Sequence, residues 1–121
     1  HAGIFIRSPQ TGRIRHQPLR NAQNEQRAPG MTVSMTVNEP EAAARAAEMG
    51  LGIALIGMPN AAPYLESGRL KRVLPGWYVD RGSVYLYFPT TKFLPTKTRV
   101  FVDFITEQFR LQKLAARFDA R

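Results

Sequence analysis

The 121-residue chain is predicted to be α/β, and three observations carry that prediction. Residues 3–7 and 51–56 are short apolar runs of the length and character of buried strands. Residues 31–37 alternate apolar and hydroxylated side chains, the period-two pattern of a half-covered strand. Between the last two lies an alanine-rich stretch with helix start and stop residues. Strand, capped helix, strand is the βαβ unit of a parallel sheet.

Taken in order, Gly3 to Arg7 forms the first strand, and Ser8-Pro9-Gln10-Thr11-Gly12 a turn. Residues 13–30, rich in Arg, Asn and Gln and holding Pro18 and Pro29, predict an irregular excursion with one short strand. After the strand at 31–37, Asn38 is the expected N-cap, with Glu41 three residues on completing a capping-box-like pair. Pro40 falls in the first turn, where its missing N–H costs nothing. The helix should end at Gly50, with Ala42, Ala43, Ala46 and Ala47 as a small-residue stripe that lies close on a sheet.

Leu51 to Ile56 is the next strand, followed by a short helix near Asn60–Glu66 closed by Gly68. Leu70 to Leu74 is a candidate strand, Pro75-Gly76 a turn, and Ser83 to Phe88 the strongest strand segment by propensity. Val100, Phe101, Phe104, Ile105, Phe109 and Leu111 recur at helical spacing, so residues 96–115 should form a long amphipathic helix. Phe101, Phe104, Ile105 and Phe109 are core by default, though with a neighbouring part of the fold missing they would lose part of their cover, and Trp77, Tyr85 and Tyr87 are expected to be core or hinge.

Composition narrows the function. At 44% hydrophobic and 21% charged, the chain has the balance of one ordinary globular domain. It has no cysteine, which excludes disulfides and thiolate metal sites, and only His1 and His16 offer imidazole. No apolar run approaches the ~20 residues that span a bilayer, and no signal-peptide pattern opens the chain. The first residue is histidine, which predicts a fragment or a processed product.

The net charge of +8 invites a nucleic-acid reading, but the basic residues are scattered and Asn38 to Glu48 is locally acidic. No helix carries a basic face interleaved with aromatics, so solvated charge is the favoured reading. The chain lacks a nucleophile elbow, a phosphate-binding loop, a dinucleotide-binding glycine turn and a zinc-protease motif. Glu39 and Glu41, two apart at a helix start, point to different faces and are poor acid–base partners. No enzyme, metal or cofactor is expected.

The stretch Thr36-Val-Asn-Glu-Pro-Glu-Ala-Ala-Ala-Arg-Ala-Ala-Glu-Met-Gly-Leu-Gly-Ile-Ala-Leu-Ile56 resembles the effector domain of LysR-type transcriptional regulators. Further similar pieces follow in order: Pro63 to Leu70, Val73 to Trp77, Val84 to Pro89 and Val100 to Ile105, with Phe5 to Arg13 upstream. Two positions depart from the family pattern: His16-Gln-Pro-Leu19 stands where an aromatic is usual, and Gly57 where proline is usual.

The resemblance implies a type 2 periplasmic-binding-protein-like lobe, with a mixed, mainly parallel sheet flanked by helices. Residues 1–90 would belong to the second lobe, and residues 91–121 would return to the first lobe with a C-terminal helix. The DNA-binding domain would lie outside this chain, so DNA would be met only through that missing helix-turn-helix. A small-molecule effector, with carboxylates among the candidates, would bind between the lobes of a cytoplasmic homodimer or homotetramer without a membrane. A solute-binding protein of the same architecture is the alternative, and a small basic nucleic-acid-binding protein a third.

By the same resemblance, Arg7, Ser8, Pro9, Gln10 and Thr11 form a loop facing the effector cleft. Their guanidinium, hydroxyl and amide groups suit a carboxylate, with Arg7 bidentate; an ordinary turn with a solvated Arg7 is equally consistent. Asn38 and Glu39 open a helix whose free N–H groups favour an anion, although capping alone explains Asn38. Glu39 would oppose an anion.

Overall fold

The structure is a computed structural model describing residues 1–14, 16–88 and 94–121. Its elements are β1 (Ala2–Ile6), β2 (Leu19–Arg20), β3 (Gln26–Arg27), β4 (Thr32–Val37), α1 (Pro40–Glu48), β5 (Ile53–Ala54), α2 (Met58–Glu66), α3 (Thr96–Leu111) and α4 (Leu114–Arg117). They fall into two compact units, residues 1–80 with 120–121, and residues 81–119.

In the first unit a three-stranded sheet has the order β4-β1-β5, and β1 pairs parallel with both neighbours. The expected βαβ unit is therefore present as β4-α1-β5, and it straddles β1. Parallel neighbours cannot be joined by a tight turn, and α1 supplies the crossover. The excursion after β1 holds a two-residue antiparallel pair, β2 with β3. The α/β prediction holds, with the antiparallel part in a sheet of its own.

Register explains one detail of β4. Gly3 pairs with Val33 and Ile4 with Met35, so Ser34 is an extra, bulged residue. Its hydroxyl lies 3.1 Å from the Gly3 carbonyl oxygen and 3.3 Å from that of Leu51. The bulge thus ties β4 to β1 and to the segment that enters β5.

The core is small and built on alanine. Ile4, 2% exposed, packs with Ala43 and Ala46, and Ile6, Val37, Ala47, Ala54 and Ile56 surround them. The buried face of α1 is Ala43, Ala44 and Ala46, with Ala42 exposed, which shifts the expected stripe. Ala44 lies on the flank that carries Glu41 and Glu48, and both glutamates bond to residues in or just after α2. Covering that flank widens the buried arc.

The start of α1 corrects the capping prediction. Glu39, not Asn38, is the N-cap, and no side chain caps the helix. Proline disfavours helical backbone in the residue before it, and Glu39 is extended at φ −118°, ψ 138°. Pro40 therefore fixes the boundary one residue later than the Asn38 pattern implies. Glu41, free of any capping box, accepts a bond from Tyr64. The helix end is as expected: Gly50, at φ +77°, donates to the Ala47 carbonyl, and Leu51 to that of Ala46.

Two further expectations are revised. Leu70 to Leu74 is not a strand; the backbone instead turns at Pro75-Gly76, where Trp77 donates to the Leu74 carbonyl. Pairing occurs later, where Tyr78 and Arg20 exchange both backbone bonds. Ser83 to Phe88 forms no strand, and Val84 and Tyr87 are 79% and 87% exposed. High strand propensity needs a neighbouring ladder to bond to, and no described residue supplies one. The expected end of that strand, Pro89, lies outside the described residues.

In the second unit the long helix stops at Leu111 rather than 115. Lys113 adopts a left-handed backbone, φ +51°, and α4 follows. The reversal brings Phe118 edge-on to Phe109, with ring centroids 6.3 Å apart. That contact offsets the roughly 1–2 kcal/mol that a left-handed residue costs. Phe101 and Phe104 are exposed, in line with the loss of cover expected of them, and Tyr85 and Tyr87, expected as core or hinge, are exposed as well. Ile105, Phe109 and Trp77 are half-buried.

Candidate functional site

Ligands of parallel α/β sheets sit outside the carboxyl ends of the strands, beside a point where the connections part. Here β1 is central, and the chain leaving β4 crosses to the far side of β1 to form β5. The carboxyl ends of the three strands run into Arg7–Thr11, Asn38–Glu39 and Leu55–Gly57. The structure thus brings all seven residues singled out in the sequence to one edge. Arg7 and Asn38 are the positions that follow the last register pair, Ile6 with Val37, and the Arg7 amide donates to the Val37 carbonyl at 2.8 Å.

Ser8 organises the loop. It is 8% exposed, its amide donates to the Arg13 carbonyl, and its own carbonyl accepts from the Gly12 amide, both at 2.8 Å. The Ser8 hydroxyl donates to Gln10 Oε1 at 3.2 Å and accepts from the Thr11 amide at 3.4 Å. Thr11 Oγ1 accepts from the Arg13 amide. Ser8 and Thr11 are therefore spent on shaping the turn. Arg7, Pro9, Gln10, Thr11, Asn38 and Glu39 are exposed.

Two features escaped sequence reasoning. The helix expected near Asn60–Glu66 begins earlier, at Met58, with Gly57 as an N-cap and no side-chain cap, so its start joins the same edge; the signal was Pro59, a first-turn proline beyond an apolar run. The second is a polar clasp between α1 and α2. The Tyr64 hydroxyl donates to Glu41 Oε1 at 2.6 Å, and Arg45 Nε reaches the same oxygen at 3.2 Å. The Arg69 guanidinium lies 4.4 Å from the centre of the Tyr64 ring and bonds Glu48 at 3.1 Å. Tyr64 and Glu41 are 23 residues apart, so no local pattern announces the pair.

The clasp should give stability a definite pH profile. Hydrogen bonding from Tyr64, and then Arg45, holds the Glu41 carboxyl below its ordinary value. The same bond raises the Tyr64 hydroxyl above its ordinary value. A carboxyl lowered on folding gives stability that is complete above the unfolded value and is lost as pH falls through the folded one. A phenol raised on folding gives stability that is lost as pH climbs past its unfolded value. In Tyr64→Phe, unfolding midpoints should show a weaker pH dependence at both extremes than the parent. Parallel profiles for the two proteins would remove the clasp.

Among the described residues no group of three or more His, Asp or Glu could hold a metal, and no helix is long and apolar enough to cross a membrane. A groove along α3, lined by Asp103, Thr106, Glu107 and Arg110, is open and drawn from a single helix.

Comparison with known proteins places this geometry. The LysR substrate binding domain matches residues 4–110, and the chain belongs to that family. The periplasmic-binding-protein-like α/β architecture of the family agrees with the parallel sheet of the first unit. The chain is similar to the HTH-type transcriptional regulator PtxR of Pseudomonas aeruginosa, 31% identical over 58 residues, which are 48% of this chain and 19% of PtxR. An HTH-type transcriptional regulator of Xanthomonas campestris is 35% identical over 71 residues, 59% of this chain and 21% of the relative. The putative LysR family substrate binding domain-containing protein YagP of Escherichia coli is 32% identical over 73 residues, 60% of this chain and 54% of YagP. The chain thus spans about a fifth of the two regulators and about half of YagP. No solved structure gives a significant match.

Proposed function

We propose that this chain is the effector-sensing portion of a LysR-type transcriptional regulator, that it is not an enzyme, and that it binds a small molecule at the strand-end edge. Residues 1–90 act as the second lobe of the sensing domain, and residues 91–121 return to the first lobe, where the effector is held between lobes. Arg7, Gln10 and the loop shaped by Ser8, Pro9 and Thr11 meet the effector from β1, and Asn38 and Glu39 from β4. Binding shifts the population of lobe arrangements, and a DNA-binding helix-turn-helix elsewhere in the cytoplasmic regulator, a homodimer or homotetramer, reports the shift.

The observation that carries this reading is the convergence of those two segments on the carboxyl edge of one parallel sheet, in a member of a substrate-binding family. The relatives are named as transcriptional regulators, which favours sensing over solute carriage. The test is thermal unfolding against a panel of small aromatic and aliphatic acids and amino acids. At a hundredfold excess over its dissociation constant, a ligand adds about 2.7 kcal/mol. At least one compound should raise the midpoint by several degrees, and Arg7→Ala should abolish the rise. A rise that Arg7→Ala leaves intact would place binding elsewhere.

A further inference from the structure

The strand-end edge carries one charge of each sign, and neither is used. Arg7 follows β1, and Glu39 lies two residues beyond the end of the neighbouring β4. Both are exposed. Ion pairs elsewhere in the first unit join Arg20 with Asp80, Arg45 with Glu41 and Arg69 with Glu48. Among the described residues, neither the Arg7 nor the Glu39 side chain forms an ion pair. Glu39 also spends nothing on capping, since no side chain caps α1.

That arrangement selects among ligands by charge. A simple carboxylate gains from Arg7 but is opposed by Glu39, and a simple amine meets the reverse. Only a molecule that bears both signs close together satisfies both groups. Gln10 adds to the anionic end. Its Oε1 is occupied by Ser8, and its amide nitrogen remains to donate to a carboxylate oxygen.

We propose that the effector is a zwitterion of the α-amino-acid class, its carboxylate on Arg7 and Gln10 and its ammonium on Glu39. This inference rests on the effector-site reading above and adds the ligand class. The effector itself is unnamed by this argument; the side chain beyond the two charged groups is set by residues other than these three.

The experiment is calorimetric titration of the protein with a panel of L-amino acids. It is repeated with the matching desamino acids, which keep the side chain and lose the ammonium, and with the matching amines, which lose the carboxylate. At least one amino acid should bind with about tenfold or greater preference over both counterparts. In Glu39→Gln the preference over the desamino acid should shrink to within about threefold, while in Arg7→Gln the amino acid and desamino acid should weaken together. Circular dichroism confirms that each variant is folded, which the exposed, unpaired positions favour. Desamino acids that bind as tightly as amino acids, or a Glu39→Gln variant with its preference intact, would overturn the zwitterion and leave the effector site standing. Silence from every compound in the panel would overturn both.

Discussion

Ile4→Ala is expected to lower the unfolding free energy by about 2–5 kcal/mol, toward the upper end of that range. Among the described residues Ile4 is the largest side chain that is fully buried, and its packing partners on α1 are Ala43 and Ala46. The cost of such a truncation depends on how far the neighbours can collapse into the space. Alanines have no rotamer with which to reach in, so α1 would have to move as a body while Pro40 and Gly50 fix its ends. Denaturant unfolding followed by circular dichroism measures the loss. A change below about 1 kcal/mol would mean that β1 and α1 are not packed as described.

Gly52→Ala is the second large effect, and its cause is backbone rather than core. A Cβ at position 52 would sit 2.7 Å from the Ala2 carbonyl oxygen, with φ at +153°. That conformation is essentially restricted to glycine and costs other residues about 1–3 kcal/mol. The clash adds to it, because the obstructing atom belongs to the strand beside β5 and cannot swing away. Gly50→Ala is the internal control: its φ is +77° and nothing lies within 4 Å of the added Cβ. It should cost only the left-handed penalty, roughly 1–2 kcal/mol. The ranking, with Gly52→Ala the more damaging, is the test. Equal losses would deny the close approach of residue 52 to β1.

Both predictions concern the part of the molecule most legible in the sequence. The parallel unit was visible because three independent signals agree: alternation at 31–37, a proline and a glycine bracketing an alanine run, and an apolar strand after it. The helix start was misplaced because Asn38 matches the commonest cap while Pro40 dictates the boundary. Two local rules conflicted, and the steric one won. The strand expected at Ser83 to Phe88 failed for a different reason. Propensity describes what a residue favours once a ladder exists, and nothing in six residues states whether a partner is present. The amphipathic pattern of α3 likewise reports a face suited to burial, not the surface that would cover it.

The candidate site divides the same way. Arg7 to Thr11 were singled out by resemblance and Asn38 and Glu39 by their place at a helix start, and topology explains why such distant segments share an edge: parallel neighbours bring their carboxyl ends together. The Ser8 hydroxyl, by contrast, turns out to shape the loop, and its bond to Gln10 could not be read from types and spacing. The helix α2 was expected near Asn60–Glu66 and begins at Met58, because Pro59 fits a first helical turn rather than ending the loop before it.

Backbone amide resonances, recorded while a stabilising amino acid or acid from the panel is titrated in, test most directly where this molecule meets its ligand. Shifts concentrated at residues 7–12 and 38–41, saturating with one affinity, are the predicted outcome. A footprint confined to α3 and α4, with β1 and the start of α1 silent, would contradict the account.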